Sequence, residues 1–183
     1  MNMRLGELEN ELEDDEARRN LRQSFSRLRS LTGRDGRDFE LGSMEKMGQA
    51  AGIHYNADDR VEIRPDIVQQ AMEGGANNTD HFLHITAHEV IHDDQTNEGW
   101  TEWLATLLTH TRPVDSLRAQ VRHMEAIEAV VGRETLKENA LEEDGKLAVL
   151  QDYVQKRVAQ GMDWLEAAAE CNEHFDQAED YAA

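Results

Sequence analysis

Residues 88–92 read HEVIH and residues 97–102 read NEGWTE, and these two stretches decide how the chain is expected to fold. The first stretch places two histidines four residues apart. On a helix both imidazoles then lie on one face and can converge on one metal ion, with Glu89 directed into the same cleft. The second stretch supplies carboxylates directly after that helix. A metal site with one ion is therefore the first expectation.

The predicted metal ligands are His88, His92 and Glu98. A hydrolytic zinc site uses three protein ligands and leaves one position open for water. Glu98 is expected in the first turn of the next helix, where the helix dipole favours its charge. Glu102 lies one turn later and is expected to accept the N–H of a ligand histidine. The rival assignment makes Glu102 the ligand and Glu98 a helix cap.

The two stretches resemble the gluzincin metallopeptidases, especially the small minigluzincin type. In that family the first Glu of the second stretch is the third zinc ligand, which corresponds to Glu98, and the Glu of HExxH is the general base, which corresponds to Glu89. The resemblance covers residues 53–110 and, more weakly, residues 132–137. Only five residues separate His92 from Glu98. The metzincins place a third histidine at that spacing, so the choice between the two subclasses stays open.

The resemblance implies a zinc-dependent metallopeptidase with one Zn²⁺ per chain. Glu89 would accept the proton of the water that zinc activates and pass it to the leaving amine. In zincins a strand edge pairs with the extended peptide substrate, and here that edge is expected to be formed by Val61, Glu62 and Ile63. The donor that stabilises the oxyanion stays open among His110, His123, Tyr55 and Tyr153.

Hydrophobic spacing predicts a mainly helical α+β fold with a small sheet. Residues 4–31 read as one long amphipathic helix, and residues 43–51 read as a short one. Alternating apolar residues predict a hairpin whose strands are residues 53–55 and 60–63, joined by turn residues 56–59. Glycine-rich residues 74–78 are expected to form a loop. Further helices are predicted over residues 66–73, 80–93, 98–110, 114–131, 134–159 and 162–179.

The chain is expected to be a single zincin-like domain over residues 1–183, because this length suits one hydrophobic core. Residues 1–52 would form N-terminal backing helices. Residues 53–111 would hold the sheet, the active-site helix and the helix that delivers Glu98. Residues 112–183 would form a helical C-terminal part.

Composition limits the partners. The chain has 38 acidic and 19 basic residues, and its formal charge of -19 repels nucleic acids and anionic membranes. No apolar stretch is long enough for a membrane span, and the N-terminus has no signal-peptide core. We therefore expect a peptide or protein substrate, no nucleic-acid or membrane partner, and a location that is cytoplasmic or reached by export without a Sec signal.

Two other classes of function stay open. The first is a catalytically idle zincin-fold protein, for example an injected or structural protein that binds a partner. The presence of Glu89 argues against it, because an inactive zincin has no need of a general base. The second is a helical interaction protein whose histidines are structural. Such a protein would hold no stoichiometric zinc.

Overall fold

The computed structural model describes residues 3–55, 57–92 and 94–179. They form a mainly helical structure with a small three-stranded sheet, which confirms the predicted α+β class. The chain divides into two compact units. Unit 1 contains Met1–Asp93 and Leu107–Thr111, and unit 2 contains Asp94–Thr106 and Arg112–Ala183. A single zincin-like domain stays a prediction.

Unit 1 begins with two helices, α1 (Leu5–Glu11) and α2 (Asp15–Thr32). The predicted single helix over residues 4–31 is wrong, because the chain leaves the helical conformation at residues 12–14. Asp14 starts the second helix: its carboxylate accepts the backbone N–H of Glu16 at 2.8 Å and that of Ala17 at 3.2 Å. An acidic cap of this kind satisfies N–H groups that have no partner inside the helix.

A buried carboxylate joins the N-terminal elements of unit 1. Glu9 lies on α1 and is 3% exposed, and it accepts a hydrogen bond from Nε of Arg22 at 2.8 Å and from Nε of Arg37 at 2.8 Å. Arg22 lies on α2, and Arg37 lies in a 3-10 turn over Gly36–Asp38. One side chain therefore fixes three elements, and the bond between unlike charges offsets the loss of hydration of Glu9.

The sheet contains β1 (Glu40–Leu41), β2 (Gly52–Tyr55) and β3 (Arg60–Ile63) in the order β1-β3-β2. β2 and β3 are antiparallel, which confirms the predicted hairpin. β1 adds a parallel strand that the sequence did not predict, since two residues are too few to show alternation. A short helix, α3 (Met44–Met47), precedes β2 and is shorter than the predicted 43–51. The predicted turn residue Asn56 lies outside the described residues.

The sheet order corrects one prediction. Val61, Glu62 and Ile63 do not form an edge strand, because β3 is central and pairs with β1 on one side and with β2 on the other. The outer side of β1 is covered as well, since the N–H of Leu41 donates to the carbonyl of Met3 at 2.8 Å. Among the described residues, no further strand pairs with the outer side of β2.

Two further helices complete the described chain before the NEGWTE stretch: α4 (Pro65–Glu73) and α5 (Ala76–Ile91). Pro65 begins α4 as predicted, because its fixed φ suits the first helical turn. The predicted loop over residues 74–78 is shorter in the structure. Gly74 and Gly75 have φ of 73° and 87° and make the turn by themselves, so α5 begins four residues earlier than expected. Asp93, the predicted end of this helix, lies outside the described residues.

Helix α6 (Glu98–Thr109) contributes residues to both units, and the remaining helices belong to unit 2. These are α7 (Arg118–Val131), α8 (Arg133–Glu138), α9 (Gly145–Ala159) and α10 (Trp164–Glu179). The predicted helix over residues 134–159 is wrong, because α8 and α9 are separate. A Cβ at Gly145 would lie 1.8 Å from the carbonyl oxygen of Asn139, so this turn requires glycine.

The core of unit 2 is built around Phe175 of α10, which is fully buried and packs against the ring of Trp100 with 5.4 Å between the ring centroids. Tyr153 and Cys171 lie in the same core and are at most 1% exposed. Burial, followed by the charge of Glu170, raises the pKa of the Cys171 thiol to about 12. Among the described residues no helix is long and apolar enough to cross a membrane.

Replacing Glu9 by alanine is expected to lower the free energy of unfolding by about 2 kcal/mol, because two charge-assisted hydrogen bonds are lost while Arg22 and Arg37 regain water. Urea unfolding followed by circular dichroism measures the change. Glu11→Ala on the same helix is the control, since Glu11 is exposed. Equal stability of the Glu9 and Glu11 variants would show that the buried carboxylate does not join these elements.

Candidate metal centre

Helix α5 places His88 and His92 one turn apart, as the sequence predicted. Their Nε2 atoms lie 3.0 Å apart, and the two rings are nearly perpendicular at 76°. Two ligand nitrogens on a tetrahedral zinc ion, each at about 2.0 Å, lie about 3.3 Å apart. The two imidazoles therefore already have a spacing that suits one shared ion.

The same helix is buried along most of its length, because in unit 1 it packs against α2, α4 and β2. His88 and Glu89 are each 9% exposed, and His92 is half-buried. A buried polar side chain is costly unless it has a hydrogen-bond partner or a metal ion. The ring nitrogens of these histidines therefore need partners inside the protein, whereas those of exposed histidines can form hydrogen bonds with water.

Glu98 is the first residue of α6 and is 7% exposed. The residue before it, Asn97, caps the helix: its Oδ1 accepts the N–H of Trp100 at 3.0 Å, and its amide donates to the carbonyl of Phe175 at 3.0 Å. The hydrogen bonds of Asn97 thus fix where the helix begins and, with it, the position of Glu98 in unit 2. This role of Asn97 was not predicted from the sequence, although Asn is a preferred residue directly before the first residue of a helix.

The structure brings the three predicted ligands together. His88, His92 and Glu98 each offer one ligand atom, and these atoms all lie within 4.8 Å of one another. It is the one group of three or more such side chains found within residues 3–55, 57–92 and 94–179. Two imidazole nitrogens and one carboxylate oxygen are a donor set that zinc accepts, so the residues fit the ion that the resemblance implies.

Glu102 is not part of this group. It is 1% exposed, and its Oε1 accepts the backbone N–H of Val114 at 2.6 Å, which fixes the segment that follows α6. The grouping favours Glu98 over Glu102 as the ligand. The predicted hydrogen bond from a ligand histidine to Glu102 stays a prediction.

Glu89, the predicted general base, lies against the first residue of the edge strand. A Cβ built on Gly52 would lie 2.5 Å from Cγ of Glu89 and 2.8 Å from its Oε1. Real Cβ atoms do not approach other atoms so closely, so the Glu89 carboxylate occupies space that only glycine leaves free. The sequence showed Gly52 only as the end of a helix.

His84 lies one turn before His88 on α5 and is 3% exposed. Its Nδ1 is 2.6 Å from the hydroxyl of Thr111 and 3.4 Å from that of Thr109. Thr109 is the last residue of α6, so within unit 1 His84 holds the end of that helix.

Three of the four candidates for the oxyanion donor have other contacts within their own units, and the fourth, His110, is exposed. The Tyr153 hydroxyl donates to Glu170 at 2.7 Å, and burial raises the pKa of Tyr153. The Tyr55 hydroxyl donates to Glu62 at 3.4 Å. Nδ1 of His123 is 3.1 Å from Nδ1 of His174, and His110 is exposed with a positive φ of 56°. The role of donor stays a prediction for each of them.

Comparisons with protein-family models, with curated proteins and with solved structures give no significant match.

Zinc affinity distinguishes the two glutamates. Glu98→Ala is expected to reduce zinc affinity at least about a hundredfold, because a ligand is lost. Glu102→Ala is expected to reduce zinc affinity less, by about tenfold to a hundredfold at most. Elemental analysis and competition with a fluorescent chelator measure the stoichiometry and the affinity. Glu142→Ala removes an exposed carboxylate and is the matched control. A larger loss in the Glu102 variant would establish the rival assignment.

Proposed function

We propose that this protein is a zinc-dependent metallopeptidase with a zincin-like arrangement of active-site helix and glutamate helix. The observation that supports this proposal is the grouping of His88, His92 and Glu98. Glu89 lies on α5, directly after the ligand His88. Three ligands leave a fourth position for water, which is the pattern of catalytic rather than structural zinc sites. A helical interaction protein would have no need to bring these three ligand side chains together.

Bound zinc supplies a Lewis acid that lowers the pKa of water and polarises a carbonyl group. The chain supplies the base. Glu89 follows His88 directly, is 9% exposed, and is confined on one side by Gly52. A carboxylate held in this way can accept the proton of the attacking water and return it to the leaving amine.

The edge of β2 is the proposed binding site for an extended peptide, in place of the central strand β3. Ala51 and Arg64 form a hydrogen-bonded pair, since the N–H of Arg64 donates to the carbonyl of Ala51 at 2.9 Å. Such pairs alternate along an antiparallel ladder, so the main-chain polar groups of Gly52 and His54 face away from β3. A peptide strand added here would pass close to Glu89, because Gly52 is in contact with it.

The general base is tested by Glu89→Gln. We expect this variant to keep its zinc, since the ligands are intact, and to lose hydrolysis by about a thousandfold or more, since an amide cannot accept the proton. A mixed peptide library read by mass spectrometry first identifies a cleaved peptide for the parent. The rate on that peptide is then compared with zinc content.

Three results would contradict the proposal. Parent-level cleavage by the Glu89→Gln variant would exclude Glu89 as the base. A zinc-loaded parent that cleaves no peptide in the library would favour the catalytically idle zincin-fold protein. Absence of stoichiometric zinc in the parent would favour the helical interaction protein.

Gly52→Ala tests the packing of the base against the edge strand. The new methyl group displaces Glu89, so kcat on the cleaved peptide is expected to fall about tenfold to a hundredfold while zinc content is unchanged. The double variant Gly52→Ala/Glu89→Asp is the informative control, because a shorter carboxylate makes room for the methyl group. Unchanged kcat in Gly52→Ala would show that the position of Glu89 does not depend on this contact.

A further inference from the structure

A concave site lies in unit 2, beside the first turn of α7. It is a cavity of about 300 Å³. Six residues line it: Arg112, Pro113, Arg118, Val121, Arg122 and Glu125. We call it the arginine cavity. Three of the six side chains are guanidinium groups, in a chain whose formal charge is -19.

The charges of the arginine cavity are incompletely neutralised. Arg118 is paired with Asp115, whereas Arg112 and Arg122 are exposed and have no ion-pair partner among the described residues. Arginines elsewhere in this acidic chain commonly face a carboxylate, as Arg22 and Arg37 face Glu9. Two unneutralised guanidinium groups at one concavity therefore stand out from the rest of the surface.

The adjacent helix end adds to the same positive field. Arg118 is the first residue of α7, no acidic residue lies in the first turn, and the N-cap residue Leu117 makes no side-chain capping bond. The N-terminus of a helix carries a partial positive charge, so a cation such as Arg118 is unfavourable there. A bound anion would be attracted by both the helix end and the guanidinium group. Asp115, which pairs with Arg118, and Glu125, which lines the cavity, together offset only two of the three guanidinium charges.

The cavity also offers apolar surface. Val121 is 3% exposed and, together with the Pro113 ring, gives the cavity an apolar portion beside its charged groups. Guanidinium groups bind carboxylates and phosphates through two parallel hydrogen bonds, and they are held in a fixed plane that suits both. A ligand with one anionic group and one apolar group would satisfy both parts of this lining.

We propose that the arginine cavity binds a small organic anion, whose phosphate or carboxylate group is held by Arg112 and Arg122 while its apolar part contacts Pro113 and Val121. The site is separate from the proposed peptidase function and does not depend on it.

Isothermal titration calorimetry of the full chain with phenyl phosphate and with benzoate tests the proposal. Both probes carry an aromatic ring, and they differ in the anionic group. We expect saturable binding with a dissociation constant of about 1 mM or below for at least one of them, weakened by added NaCl. Tighter binding of phenyl phosphate assigns a phosphate ligand, and tighter binding of benzoate assigns a carboxylate ligand.

Variants locate the binding. Arg112→Gln/Arg122→Gln should weaken it at least about tenfold, because both unneutralised guanidinium groups are removed. Arg19→Gln is the matched control, since Arg19 is exposed and also has no ion-pair partner among the described residues. The His88→Ala/His92→Ala variant should bind the probe as the parent does, which excludes binding at the metal centre. No saturable binding of either probe, or the same loss in Arg19→Gln, would overturn the proposal.

Discussion

The burial of ionisable side chains on α5 and at the start of α6 is the constraint on which the candidate metal centre depends. Glu89 and Glu98 are 9% and 7% exposed, and His88 is 9% exposed, so water screens these groups little. Burying a charged carboxylate costs several kcal/mol of hydration, which its neighbours in the fold must offset. A divalent cation between His88, His92 and Glu98 would offset that cost, because its charge is the largest that the site could contain. The folded state and the metal would then stabilise each other.

The surrounding elements explain how such a site can be held. Helix α5 is buried by α2, α4 and β2, which fixes the two histidines. Gly52 leaves the space that Glu89 fills. Asn97 caps the start of the helix that carries Glu98, and the hydrogen bond from Val114 to Glu102 fixes the segment that follows this helix. Side chains with no chemistry of their own therefore determine where the chemical groups lie.

Sequence patterns predicted those parts of the fold that depend on local chemistry. The hairpin, the start of α4 at Pro65 and the grouping of the three ligands follow from turn residues, fixed φ and helical spacing. Other parts depend on tertiary contacts and were missed. The helix breaks at residues 12–14 and 139–144 interrupt apolar patterns that read as continuous, and the central position of β3 follows from a parallel strand of only two residues. Gly52 was missed because its contact with Glu89 joins segments 37 residues apart.

The most direct measurement is the anomalous scattering of crystals grown with zinc, recorded on both sides of the zinc absorption edge. We predict one strong peak per chain in contact with Nε2 of His88, Nε2 of His92 and the carboxylate of Glu98. A peak at another place, such as the His123–His174 pair, with none beside His88 and His92, would contradict it. The histidines of α5 would then be structural, and the proposed peptidase would have no metal centre.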